Sequence, residues 1–246
     1  MIKTFIFLDL ETTGLITKNY MPKITEMSLI AVSRTAICDT TNISPRILQK
    51  LVLPIHPNVS ISKKIQQLTG LSNENLKEFP CFNCDIYNLV ANFINRLAAP
   101  ACFVAYNGNN YDYPIFLSEF KTIEKSFSEN ILSIDMMHLV KEFFSCKQNP
   151  VEEMNIIQPT AKTSSFSCTE DRKGSNARRK LDFTNSRPIN FKLGSVYKHI
   201  FGNNPEDAHS AEGDCLAMIH CAIKLGNFFL EWADCNAVPL TNHIRK

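Results

Sequence analysis

Two carboxylates stand close together near the start of the chain, at the end of an apolar run. The segment FLDLETTGL contains Asp9 and Glu11, which are separated by one residue. Side chains at i and i+2 of a β-strand point to the same face, roughly 7 Å apart along the chain. Because 24 of the 246 residues are acidic, such a pair also arises by chance. Its position is the stronger signal, since ligands bind at the C-terminal ends of strands in α/β sheets.

Two more carboxylates stand at the head of apolar faces in predicted helices. Asp112 lies at helical spacing from Ile115 and Phe116, and Asp214 lies at the same kind of spacing from Met218. A carboxylate among core residues is costly unless a cation or hydrogen-bond donors compensate its charge. Taken alone, each acid is also explained by its stabilisation at a helix N-terminus.

The four acids together predict a metal site. Two carboxylates about 4 Å apart repel by about 4 kcal/mol at an effective dielectric constant of about 20, so a cluster of them requires divalent cations. Ligands that are all oxygen favour Mg²⁺ or Mn²⁺ over zinc. Since Mg²⁺ commonly takes its remaining ligands from substrate phosphates, the expected chemistry is phosphoryl transfer.

A candidate general base precedes the last of these acids. His209 lies five residues before Asp214, just outside a helix whose predicted N-cap is Ser210. An imidazole with the ordinary pKa of about 6.5 accepts a proton at physiological pH. The other histidines are interpreted as solvated or packed side chains.

The elements that must position these residues alternate along the chain. Strands are predicted at 4–10, 24–33 and 48–55 from their β-branched and aromatic residues. Helices and strands then alternate, and one final helix begins at about residue 211. An antiparallel meander followed by parallel strands predicts an α/β fold with a mixed β-sheet flanked by helices.

Composition limits the class of protein. The chain is 44% hydrophobic with a formal net charge of +2, so we expect residues 1–246 to form one domain without a global field that attracts nucleic acid. Nine scattered cysteines and the lack of a secretory signal predict reduced thiols and an intracellular location, cytoplasmic and/or nuclear. Charged and polar residues interrupt the late apolar stretch, so we expect no membrane partner.

One segment, 147–188, lacks any sustained period and is expected to be a flexible insertion loop. It contains a cationic run, RKGSNARRK. Two interpretations of that run stay open, a solvated tether and a mobile arm that contacts phosphates.

Three segments resemble the motifs of one enzyme class. FLDLETTGL, AYNGNNYDYPIF and HSAEGDCLAM are similar to the three exonuclease motifs of the DEDDh class. QQLTGLS and LGSVYKHIFGNNPEDAHSAEGD resemble in particular the Trex-type three-prime repair exonucleases. The resemblance implies a ribonuclease H-like fold and removal of nucleotides from DNA 3′ ends with two Mg²⁺ ions per site, for which Mn²⁺ can substitute.

The resemblance also implies roles for individual residues. Asp9, Glu11 and Asp214 would bind the metals directly, while Asp112 would act partly through water and His209 would serve as the general base. The residues implied to bind the 3′ nucleotide are Thr12, Thr13, Leu15, Leu68, Asn107 and Tyr111. Leu68 would pack on the terminal base, and Asn107 and Tyr111 flank the second motif.

The resemblance carries expectations about partners and one departure. It implies a homodimer formed through a sheet edge, with single-stranded or frayed duplex DNA 3′ ends as substrate. Tyr106 stands where the family usually has histidine, which leaves the contacts of that position open. Two alternatives remain at this point, an exoribonuclease of the same class and a non-catalytic scaffold that binds nucleic acid.

Overall fold

A six-stranded mixed β-sheet forms the centre of the molecule. The computed structural model describes residues 1–39, 44–146 and 187–244. The strands are β1 (Thr4–Thr12), β2 (Ile24–Ser33), β3 (Ile47–Pro54), β4 (Ala101–Ala105), β5 (Leu132–Asp135) and β6 (Val238–Pro239). Their order across the sheet is β3-β2-β1-β4-β5-β6. The first three strands pair antiparallel, while β4 pairs parallel with both β1 and β5. The predicted meander and mixed sheet are confirmed.

Helices cover both faces of this sheet. In chain order they are α1 (Arg34–Cys38), α2 (Lys63–Thr69), α3 (Asn73–Leu76), α4 (Cys84–Asn95), α5 (Asp112–Thr122), α6 (Met136–Cys146), α7 (Leu193–Phe201), α8 (Ala211–Leu225) and α9 (Asn227–Asn236). A 3₁₀ turn follows at Leu240–His243. The short helices α1, α2 and α3 and the two-residue strand β6 have no counterpart among the predicted elements.

Strand β1 contributes to two hydrophobic cores. Phe5 and Phe7 pack with residues of α6, α7, α8 and α9 on one face of the sheet. Ile6 and Leu8 pack with residues of α4 and α5 on the other face. Successive side chains of a strand point to opposite faces, so a strand that is buried on both sides reads as a continuous apolar run. The strand that carries Asp9 and Glu11 is therefore packed between the two cores.

The predicted single final helix is wrong. Helix α8 ends at Leu225 and α9 begins at Asn227, with an angle of 105° between them. Gly226 joins the two helices with φ 53° and ψ −122°, a conformation that disfavours any residue with a Cβ atom. The turn brings Phe229 against Phe5, with ring centroids 5.0 Å apart. The apolar pattern continues across Gly226 because α9 packs on the same core as α8.

No single helix among the described residues is long and apolar enough to cross a membrane. Helices α8 and α9 meet the length and composition requirement only as a bent pair.

Most of the predicted insertion loop, 147–186, lies outside the described residues. The five cations of its basic run, Arg172, Lys173, Arg178, Arg179 and Lys180, lie there too. Both interpretations of that run stay predictions.

Candidate active site

Three carboxylates converge at the C-terminal end of β1. One oxygen from each of Asp9, Glu11 and Asp214 lies within 4.8 Å of the others. All three residues are partly buried. Within the described part of the chain, this is the group of acidic, histidine or cysteine side chains whose geometry fits a metal ion.

The strand and a crossing helix bring these carboxylates together. Asp9 and Glu11 share a face of β1 because they are two residues apart. The first turn of α8 lies across β1 and β2, since the Cys215 thiol donates to Phe7 O at 3.4 Å and to Ser28 O at 3.6 Å. That placement sets Asp214, the preceding residue, beside the two strand carboxylates.

Asp112 joins the cluster from the neighbouring parallel strand. β4 pairs parallel with β1, so both strands end at the same edge of the sheet. The chain then turns into α5, whose first residue is Asp112, and the side chain is 3% exposed. Its carboxylate accepts a backbone hydrogen bond from Leu10, between Asp9 and Glu11. The predicted convergence of four acids on one sheet edge is therefore observed.

The cluster is electrostatically strained in its metal-free form. Burial, followed by the charges of Asp112 and Asp214, raises the pKa of Asp9 well above its usual range. Burial and the charges of Asp214 and Glu26 raise the pKa of Glu11 to about 8. Burial likewise raises the pKa of Asp112 to about 8. A divalent cation would stabilise the ionised carboxylates, and the oxygen donors match its preference, so the residues fit such an ion.

His209 lies beside Asp214 on an exposed loop. The Asp214 carboxylate accepts a backbone hydrogen bond from His209, and the nearby imidazole offsets part of the rise that burial causes in the pKa of Asp214. Asp207 and His209 both have positive φ values, 50° and 68°. The loop packs tightly on α8, because a Cβ atom at Gly213 would lie 2.2 Å from Asp207 O. The backbone therefore holds an exposed imidazole at the mouth of the cluster.

The two threonines at the end of β1 use their hydroxyl groups in contacts with neighbouring residues. Thr12 is 4% exposed, and its Oγ1 donates to Gly14 O at 2.8 Å. The Tyr111 hydroxyl lies 2.5 Å from Thr12 Oγ1 and donates to Gly14 O at 2.7 Å. Thr13 is 7% exposed, and its hydroxyl lies 2.6 Å from that of Tyr20. These residues shape the loop rather than offer free hydroxyls.

The two predicted apolar contact residues, Leu15 and Leu68, have exposed side chains. Leu15 is 74% exposed and Leu68 is 49% exposed. Asn107 has φ 61°, and its side-chain oxygen accepts from Asn110 Nδ2 at 2.9 Å. Of the predicted nucleotide-binding residues, the two leucines are exposed and the other four make hydrogen bonds with neighbouring residues.

Sequence reasoning missed two acids that support the cluster. Asp135 is 2% exposed and accepts from the backbone N–H groups of Asn107 at 2.9 Å, Asn109 at 3.2 Å and Met137 at 2.9 Å. Glu26 stands opposite Glu11 in the β1–β2 pairing. The available signal for Asp135 was its place at the end of a predicted strand, the same signal that identified Asp9. Nothing comparable marks Glu26, because its role depends on cross-strand register.

Tyr106, the departure within the second motif, makes a tertiary contact. Its hydroxyl donates to Phe191 O at 2.9 Å. The contact joins the residue that follows β4 to the segment that precedes α7.

Solved structures with similar folds include nucleases of low sequence identity. The zinc-bound E. coli ExoI–ssDNA complex superposes with a TM-score of 0.61 and 15% identity over 96% of this chain and 43% of that one. The crystal structure of cell-death related nuclease 4 (CRN-4) superposes with a TM-score of 0.58 and 14% identity over 96% of this chain and 65% of that one. This chain therefore spans less than half of the ExoI chain, and the similarity concerns the ribonuclease H-like fold.

Sequence comparison is more specific. The family model RNase_T, described as an exonuclease, matches residues 6–133. Three-prime repair exonuclease 1 of Bos taurus is 31% identical over 98% of this chain and 69% of its own length. Three prime repair exonuclease 2 of Homo sapiens is 28% identical over 94% of this chain and 87% of its own length. The chain therefore belongs to the exonuclease family, together with the three-prime repair exonucleases 1 and 2.

Proposed function

We propose that the carboxylate cluster is the centre at which this chain hydrolyses phosphodiester bonds at DNA 3′ ends. As a member of its family, the chain is a metal-dependent 3′→5′ DNA exonuclease. The observation that carries the assignment is the convergence of Asp9, Glu11 and Asp214 within 4.8 Å at the sheet edge. Such an edge is where ligands bind in α/β folds.

Asp9, Glu11 and Asp214 would hold the metal, with Asp112 supporting them from its buried position. We infer Mg²⁺, with Mn²⁺ as a substitute, because every donor is a carboxylate oxygen, and the resemblance to the DEDDh class implies two ions per site. When bound, the cations supply Lewis-acid stabilisation of the negative charge that develops on phosphate oxygens during hydrolysis.

His209 is the proposed general base. Its exposed imidazole is held next to Asp214 by a backbone hydrogen bond to that carboxylate. Neutral imidazole accepts the proton that the attacking water loses, and exposure then lets the proton pass to solvent. The rigid loop keeps this acceptor near the phosphate without burying a second charge in the cluster.

The 3′ nucleotide would lie on the loop after β1. Leu15 and Leu68 offer exposed apolar contact to the base, which tolerates any base identity. Thr12, Thr13 and Tyr111 would act by fixing the loop backbone through their hydroxyl contacts. Asn107 would contact the nucleotide from the turn that Asp135 holds.

We propose a homodimer that forms through the β3 edge of the sheet. β3 is the first strand in the sheet order, and Ile47 and Leu48 on it are 37% and 48% exposed. An exposed edge strand with apolar side chains favours pairing with another chain. Light scattering would test this, and a monomer at micromolar concentration would contradict it.

The proposed location is intracellular, cytoplasmic and/or nuclear. It rests on the cysteines, because those described with side chains are free thiols.

A degradation assay tests the activity. Matched single-stranded DNA, duplex DNA and RNA oligonucleotides, labelled at the 5′ end, are incubated with Mg²⁺ or with chelator. We expect shortening of DNA from the 3′ end in single-nucleotide steps, fastest on single-stranded or frayed ends and abolished by chelator. Much faster loss of RNA would indicate an exoribonuclease instead. Intact substrates that behave the same with Asp214→Ala would indicate a nucleic-acid-binding scaffold.

A further inference from the structure

Glu26 connects the carboxylate cluster to the start of α8. It stands opposite Glu11 in the antiparallel pairing of β1 and β2. Its Oε2 atom accepts a hydrogen bond from the backbone N–H of Ala211 at 2.9 Å. Ala211 is the first residue of α8 and is fully buried. One side chain therefore links the strand pair that carries two of the acids to the helix that carries the third.

The Ala211 N–H needs this external acceptor. The first N–H groups of a helix have no partner within the helix. The N-cap residue Ser210 satisfies Gly213 N with its side chain at 3.1 Å. Burial of Ala211 excludes water as a replacement, so Glu26 supplies the acceptor from another element. Its negative charge is also favourable at a helix N-terminus.

The first turn of α8 and the loop before it behave as one structural unit. Ser210 N donates to Asp207 O at 3.1 Å. The backbone at Gly213 approaches Asp207 O so closely that the loop and the helix turn are in tight contact. This unit carries both Asp214 and His209. The nearby Lys50–Glu212 ion pair is too exposed, 45% and 38%, to fix the position of the unit.

Glu26 has an electrostatic disadvantage where it stands. Its charge contributes to raising the pKa values of Asp9 and Glu11. A neutral side chain opposite Glu11 would spare the cluster this repulsion. The hydrogen bond to the buried start of α8 is the compensating interaction that this position offers.

We propose that Glu26 is a positioning residue that sets the N-terminus of α8 against the β1–β2 edge and thereby places Asp214 and His209 relative to Asp9 and Glu11. Glu26 acts through the hydrogen bond to Ala211 and does not itself touch substrate. The catalytic consequence rests on the proposed exonuclease function, whereas the contact itself does not.

Two substitutions separate the contact from the charge. Glu26→Gln retains an acceptor oxygen at the same reach but removes the charge, whereas Glu26→Asp retains the charge but withdraws it from Ala211. We expect Glu26→Asp to lower kcat on single-stranded DNA about 10- to 100-fold, since a shift of about 1 Å in catalytic groups has effects of that size. KM should change less than about threefold, and Glu26→Gln should stay within about threefold of the unmodified protein in both constants.

A matched control lies on α6. Glu142 also accepts a single N–H, from Trp232 Nε1 at 2.7 Å, and Glu142→Asp should leave kcat unchanged. A second measurement needs no activity, namely hydrogen exchange of the Ala211 amide in metal-free protein. Exchange should be about tenfold or more faster in Glu26→Asp, and unaltered in Glu26→Gln and Glu142→Asp.

Several outcomes would overturn the proposal. Loss of kcat in Glu26→Gln but not in Glu26→Asp would show that the charge rather than the hydrogen bond matters. Equal Ala211 exchange in all variants would show that the contact does not hold the helix. An unmodified protein that degrades neither DNA nor RNA but keeps the expected exchange pattern would contradict only the proposed exonuclease function.

Discussion

The two sides of the carboxylate cluster are built differently. On the β4–α5 side, Asp112 is 3% exposed, and Asp135 holds the preceding loop through two of its backbone N–H groups and the start of α6 through a third. On the α8 side, His209 is exposed with a positive φ, and Glu26 holds the helix through one N–H. Charges that must stay close need a rigid surrounding, because relaxation would let them separate. The proposed proton acceptor, His209, needs access to solvent, and the α8 side provides it.

Loss of a strand carboxylate should give the largest effect, because it removes a proposed metal ligand that lies between the two sides. Asp9→Asn keeps the shape of the side chain and removes its charge. We expect kcat to fall about 1,000-fold or more, which corresponds to several kcal/mol of lost charge stabilisation. Calorimetric titration should show weaker Mg²⁺ binding. Melting of the metal-free variant should occur at an equal or higher temperature, since repulsion within the cluster is relieved.

The same variant gives a clear contradiction. Full exonuclease activity in Asp9→Asn would show that the carboxylate cluster does not take part in the reaction.

Substitution on the open side should affect the rate but not the fold. For His209→Ala we expect kcat to fall about 100-fold or more, because general-base catalysis contributes about 100- to 10,000-fold. The melting temperature and Mg²⁺ affinity should stay unchanged, since the imidazole is exposed. His138→Ala, an exposed histidine of α6, is the control in the same degradation assay. A large fall in stability of His209→Ala would show that this side is not the open one.

Substitution on the rigid side should affect the fold first. Asp135→Asn leaves one carbonyl oxygen and turns an NH₂ group towards buried N–H donors. We expect the free energy of unfolding, measured with urea, to fall by about 2–3 kcal/mol. Asp85→Asn, on the exposed first turn of α4, should change it by less than about 0.5 kcal/mol. Equal effects of the two substitutions would mean that the Asn107 turn needs no such anchor.

The smallest expected effect is a change of melting temperature with pH, which bound metal should reduce. The folded-state pKa values of Glu11 and Asp112, both about 8, exceed the ordinary values of 4.5 and 3.8. The folded protein therefore holds more protons, and the stability that protonation provides is lost as the pH rises from about 4 through 8. Metal-free protein should melt at a lower temperature at pH 8.5 than at pH 6, by about a few degrees.

Millimolar Mg²⁺ should reduce that difference, because the cation binds the ionised carboxylates. Glu11→Gln should flatten the pH dependence of the metal-free protein. A melting temperature that rises with pH without metal would contradict the raised pKa values.

Much of the fold was predictable because burial follows the period of each element. β1 has a run of buried apolar residues that ends in Asp9, and that interruption located the edge of the sheet. Asp112 and Asp214 were found for a related reason, as charges within apolar helix faces. The break at Gly226 was not predicted, because α8 and α9 bury similar faces in the same core. Local periodicity does not report a change of direction.

The supporting contacts of the site were beyond sequence reasoning for a different reason. The hydrogen bond from Ala211 to Glu26 joins residues 185 positions apart, and only the β1–β2 register and the crossing of α8 bring them together. The hydroxyl groups of Thr12 and Thr13 were predicted near the nucleotide, yet their partners in the loop depend on side chains as distant as Tyr111.

The packing of the two cores has a practical consequence for cleavage of the chain. Residues on both sides of 147–186 share one core, where Phe7 of β1 and Phe144 of α6 pack with Val196 of α7 and Met218 of α8. β6 also completes the sheet beside β5. A protease that cut the backbone once between 147 and 186 would therefore not separate two domains. It would leave two fragments that share one core and one sheet, each holding part of the carboxylate cluster.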